Sequence, residues 1–168
     1  MRTPEKKRII GVDPGLASTG WGVLESLNGK ISYVDHGIIK TKSDLPRAQR
    51  LFLIMRSIRL IIEKYKPAQA AIESLYFGRN VSSAIPVAEA RGVISACFAE
   101  KGITLYELAP NAIKKGVTGF AGADKNQVQE MVRIILGLDE KPKPDHAADA
   151  LAAAICAASM HQLTPVLH

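Results

Sequence analysis

Cysteine is scarce: in 168 residues only Cys97 and Cys156 occur, each in an Ala-rich apolar stretch. Neither has the spacing of a metal knuckle or a CxxC pair, which excludes a disulfide scaffold, a zinc ribbon and a dithiol oxidoreductase. Both are expected to be buried free thiols. Aromatic residues are also few, 5% of the chain, and acids are outnumbered, with 16 Asp and Glu against 22 Lys and Arg. No uninterrupted stretch reaches the roughly 18 apolar residues of a membrane span. Met1 to Arg8 is basic but leads straight into a strand-like segment, without a hydrophobic signal region and small-residue cleavage site. No membrane association and a cytoplasmic location are expected. Internal repeats, low-complexity tracts and linkers are lacking too.

A chain of this length can bury one core without a disulfide or structural metal. One domain over residues 1–160 and a tail over 161–168 are expected. Apolar residues at 47% and charged residues at 23% exclude disorder as the main state. The net charge of +6 and pI of about 9.4 favour a polyanionic partner.

RIIGVD, Arg8 to Asp13, is an apolar run closed by an acid and Pro14-Gly15, the pattern of a buried strand stopped by a turn. Gly20 to Leu27 and Lys30 to Lys40 flank Asn28-Gly29, a two-residue hairpin signal, since both positions tolerate positive φ. From Arg47 to Tyr65 the period changes. Leu51, Ile54, Met55, Ile58, Ile61, Ile62 and Tyr65 recur at helical spacing, with basic residues largely between them. Ala68 to Glu73 is a further strand ending in an acid, and Ser82 is expected to cap a helix to about Glu100, with Pro86 near its first turn. A strand at Ile103 to Leu108, a helix at Lys125 to Leu136 capped by Asp124, and an Ala-rich helix from about Asp145 complete the order. Hairpin strands followed by alternating helices and strands predict a mixed α/β sheet with helices on both faces.

Acids at strand ends are informative, because ligands of open α/β sheets collect outside the carboxyl ends of strands. If the strands closed by Asp13 and Glu73 are parallel neighbours, their carboxylates converge. The last helix can add to them, since His146 and Asp149 share one face at three residues apart and Asp145 and Asp149 at four. Oxygen donors with an imidazole suit divalent ions that activate water, and two such ions about 3.5–4 Å apart serve in-line phosphoryl displacement. Asp145 directly follows Pro144 and is read as the helix cap, with the alternative that it rather than His146 is a ligand. After Glu73 comes SLYFGRN, whose Tyr76 and Phe77 can stack on an unpaired base and whose Arg79 suits phosphate. Lys114, Lys115 and Lys125 flank the Gly-rich GVTGFAGADK, where glycines admit a phosphate backbone and lysines supply sequence-independent charge. No GK[ST] follows, so this is not a nucleotide-binding Walker loop.

The segments GVDPGLASTGWGV, AIESLYFGRN, EARGV and HAADALA, in this order and spacing, resemble the signature segments of RuvC Holliday-junction resolvases across nearly the whole chain. That resemblance implies a ribonuclease-H-like fold and a homodimer with an active site in each subunit. It implies Mg²⁺-dependent cleavage of DNA four-way junctions, with Asp13, Glu73, His146 and Asp149 as metal-binding catalytic residues. It further implies that Tyr76 wedges the junction centre, that Lys114, Lys115 and Lys125 contact DNA, and that a branch-migration motor is a partner. Many members carry a carboxylate where this chain has His146. Imidazole suits transition metals better than it suits Mg²⁺, so Mn²⁺ is expected to substitute. Small residues Ala84, Ala88, Ala90, Gly92, Ser95 and Ala96 on one helix fit either a dimer interface or close packing on the sheet.

Overall fold

The computed structural model describes the backbone of residues 6–75 and 81–163, with side chains as far as Met160. The elements are β1 (Lys7–Asp13), β2 (Ser18–Leu27), β3 (Lys30–Lys40), α1 (Arg47–Tyr65), β4 (Gln69–Glu73), α2 (Val81–Glu100), β5 (Thr104–Leu108), α3 (Pro110–Thr118), α4 (Lys125–Leu136) and α5 (Asp145–Leu163). The strands form one five-stranded sheet in the order β3-β2-β1-β4-β5. The first three are antiparallel neighbours, whereas β1–β4 and β4–β5 are parallel. Asn28 and Gly29 take positive φ, 51° and 79°, and turn β2 into β3 as their composition predicts.

Alternation along the strands divides the core. Ile9, Leu24 and Ala71 face α3, α4 and α5, while Ile10, Val12, Val23 and Ala70 face α1 and α2. Ile54, Ile58, Ile62 and Tyr65 of α1 are buried, with Leu51, Met55 and Ile61 packed at the margin. In α5, every residue from Ala150 to Ala158 is buried, which leaves room only for small side chains over most of its length. The helix lies almost on the backbone of the sheet. A methyl at Gly11 would meet the carbonyl of Ala150, and one at Gly20 would meet that of His146. Both cysteines are buried and free.

Several local expectations need correction. Lys114 and Lys115, beside the Gly-rich stretch, lie on a helix, α3, that the expected order of elements lacks. Pro110 opens it, Ile113 and Val117 pack inward, and Gly116 lets it approach Cys156 of α5. Helix α2 already includes Val81, so Ser82 is within the helix, as is Pro86. Asp145 is the first residue of α5 and does not cap it. The Pro144 carbonyl receives the N–H groups of Ala147 and Ala148, while the Asp145 carboxylate receives Gln129 Nε2 at 3.0 Å. α5 continues past the expected boundary at Met160 to Leu163.

By length and composition, α2 is apolar enough to cross a membrane. One face of it packs into the core, where Ala90, Ile94, Cys97 and Phe98 are buried, and Glu89 and Arg91 pair with Arg47 and Glu107 of the same fold.

Candidate active site

Asp13 leaves the sheet at the carboxyl end of β1. The turn behind it is pinned by the buried Thr19, whose hydroxyl donates to the Gly15 carbonyl at 2.7 Å and accepts from the Gly15 N–H at 3.3 Å. Parallel pairing sets Val12 beside Ile72, so the next residues, Asp13 and Glu73, emerge side by side. Arg91, only 13% exposed, steadies the second of them. Its Nη1 donates to the Glu73 carbonyl at 2.7 Å, and its Nη2 lies 2.8 Å from Glu107.

The first turns of α5 hang over the same end of the sheet. Asp13, His146 and Asp149 offer donor atoms that all lie within 4.8 Å of one another. His146 Nδ1 lies 2.6 Å from Asp13 Oδ2, within hydrogen-bond distance. Glu73 stands just outside this compact group and is coupled to it by charge. Loss of hydration pushes its carboxyl above the ordinary range, and the charges of Asp13 and Asp149 add to that, against Lys114 and Lys125. Burial and then Asp13 likewise raise Asp149, in spite of Lys125 and His146.

Mutual repulsion of this kind, in a set of carboxylate oxygens with one imidazole, fits a divalent cation. Three of the four expected residues thus gather in one group, and Glu73 ends the strand beside Asp13. Asp145 points elsewhere: Gln129 and Lys125 hold its carboxyl below the ordinary range, and it does not join the compact group. Glu73, Lys114, Lys125 and Asp149 line a cleft of about 190 Å³ between the site and α3. Lys115, one residue on, is exposed and does not line it. Tyr76, Phe77 and Arg79 lie outside the described residues. The sequence assigned no role to Arg91 or to Gln129. The EARGV segment was the available signal for Arg91, whereas nothing in the spacing of Gln129 pointed to Asp145.

A mixed sheet of this strand order, with acids at the ends of its adjoining central strands and the set completed from the last helix, defines a ribonuclease-H-like fold bearing an acidic site of nuclease type. Thermus thermophilus RuvC, solved in complex with a Holliday junction substrate, superposes with a TM-score of 0.88 at 31% identity, covering 94% of this chain and 96% of that one. The yeast mitochondrial Holliday junction resolvase shares the fold at a TM-score of 0.65 and 15% identity, over 92% of this chain and 82% of that one. The chain belongs to the RuvC family: the family model for crossover junction endodeoxyribonuclease RuvC matches residues 9–157. The RuvC of Treponema denticola is 52% identical over 147 residues, 88% of this chain and 83% of that protein. That of Roseiflexus is 50% identical over 149 residues, 89% of each. It is an enzyme of the nuclease class, a hydrolase of phosphodiester bonds.

Proposed function

We propose that this protein resolves DNA four-way junctions by hydrolysing phosphodiester bonds in opposing strands, with Asp13, Glu73, His146 and Asp149 holding two Mg²⁺ ions per subunit. The convergence of Asp13, His146 and Asp149 within 4.8 Å, with Glu73 beside them on the adjoining strand, carries the reading. The cations, when bound, would supply water activation and stabilisation of the phosphoryl charge. The chain's own residues do the rest. Asp13 and Asp149 orient the acceptor oxygens, Arg91 holds the Glu73 backbone, and Lys114 and Lys125 present positive charge to phosphates along the cleft. No protein nucleophile is required. Tyr76 and Phe77, with Arg79, are assigned to the junction centre, and Lys115 to the outer phosphates.

A homodimer presents one site to each of two opposing strands, and the exposed apolar residues Val81 and Ile85 on α2 support that helix as its interface. A cytoplasmic setting and a branch-migration motor partner belong to the same proposal.

The test is cleavage of labelled four-way junction, linear duplex and RNA–DNA hybrid with Mg²⁺, with Mn²⁺ and with chelator. Cutting of the junction alone, dependent on the cation, is expected; preference for the hybrid would overturn the substrate assignment. Asp13→Asn is expected to lower cleavage by at least about 100-fold while junction binding persists, because phosphate contacts carry most of the affinity. Near-normal cleavage by this variant would remove Asp13 from the site.

A further inference from the structure

Lys125 is the first residue of α4, a poor place for a cation, because the helix dipole is positive there. The helix is already capped: Asp124 accepts the Gln127 N–H, and the Gln127 side chain returns to Asp124. What accounts for the lysine lies across the cleft. Its Nζ is 3.3 Å from Asp149 and 3.4 Å from Asp145, so a single ammonium bridges the two acids of α5. Asp145 is itself fixed from α4 by Gln129 Nε2 at 3.0 Å. Of the two acids, Asp149 belongs to the compact donor group and Asp145 does not. Lys125 therefore holds one acid that a cation needs and one that it does not, and with its side chain 55% exposed it has room to move between partners.

We propose that Lys125 is an internal counter-cation of the metal site: it occupies Asp149 in the metal-free protein, is displaced from it by the divalent ion, and stays tethered beside the cleft by Asp145. The ion and the ammonium compete for the same carboxylate, which holds the α5 acids in place when no metal is bound and keeps the released lysine within reach of a phosphate. Asp145 is a positioning residue, acting through Lys125. The inference rests on Asp149 being a metal ligand.

Mn²⁺ binding to the full chain, followed by electron paramagnetic resonance without DNA, tests this independently of cleavage. Lys125→Gln is expected to bind Mn²⁺ about fivefold more tightly, the upper size of a partly exposed ion pair. Lys114→Gln, which also removes a positive charge facing Glu73 but breaks no ion pair to Asp149, is expected to change affinity by less than about twofold. Asp145→Asn leaves Lys125 to Asp149 alone and is expected to weaken Mn²⁺ binding, and to do so less in the Lys125→Gln background, giving a non-zero coupling in the double-mutant cycle. Metal-free Lys125→Gln is expected to melt below the native protein, with the gap closing at saturating Mn²⁺. Equal effects of the two lysine variants, or a melting gap that persists at saturation, would make Lys125 an ordinary ion pair and overturn the proposal. Absence of Mn²⁺ binding by the native chain would overturn both this proposal and the metal-site reading beneath it.

Discussion

Glu73 and Asp149 carry an electrostatic penalty that function requires and stability does not. Their folded-state carboxyls are raised above the ordinary values of 4.5 and 3.8. Between the ordinary and raised values the folded chain keeps protons that the unfolded chain has released, so rising pH favours unfolding in that interval. The contribution of these groups is present below their unfolded values and lost as pH climbs through the folded ones. Metal-free Glu73→Gln is thus expected to gain on the native protein over that interval, reaching a few degrees in Tm. Scanning calorimetry in chelator at stepped pH checks it; a difference that stays flat would show that the repulsion is already relieved. Saturating Mg²⁺ is expected to reverse the order, since the variant lacks a ligand. A second comparison separates neighbours on α5. His146→Ala is expected to lower cleavage by at least about 100-fold, as for loss of a metal ligand, whereas Asp145→Asn keeps most of it at saturating cation. The opposite ranking would transfer the ligand role to Asp145.

Helix α5 can place His146 and Asp149 over Asp13 only because the strands beneath it lack side chains where it crosses. Gly20→Ala would drive a methyl into the His146 carbonyl, a backbone atom that cannot rotate away. The expected result is a loss of about 1–3 kcal/mol in denaturant unfolding together with severe loss of cleavage, because the whole first turn of α5 must lift. Native activity and stability in this variant would mean that the crossing is looser than the packing shows. This contact was invisible in the sequence, where Gly20 read as an ordinary strand residue. The amphipathic helices α1 and α4 and the hairpin at Asn28-Gly29 were legible because their patterns are local. α3 was not. It is only nine residues long, and Gly116 and Gly119 gave it the look of a loop, whereas Gly116 marks its close approach to Cys156. The approach of His146 and Asp149 to Asp13, with Glu73 on the next strand, was legible because strand ends and helix periodicity place side chains by simple rules. The partners of Asp145 were not, because they depend on how α4 meets α5, which no local pattern encodes.

At the scale of the whole molecule, the basic charge and the exposed apolar side chains of α2 agree with the proposed assembly on DNA. Ile85 is 44% exposed on α2, in the second turn after Val81 at 53%. If this helix joins two subunits, Ile85→Glu is expected to yield monomers in analytical ultracentrifugation, and nicks in opposing strands of a junction should lose their coupling while each site keeps its metal. A dimer unaffected by this change would move the interface elsewhere.

The hydrogen bond between Asp13 and His146 spans 133 positions of chain, joining the first strand to the last helix. During synthesis, Asp13 and Glu73 exist long before α5 has emerged, and with it the remaining donors. A chain that stops before α5 therefore lacks two of the three clustered donors. Because the same helix brings both His146 and Asp149 and the buried run from Ala150 to Ala158, the donor group and one half of the core are completed together.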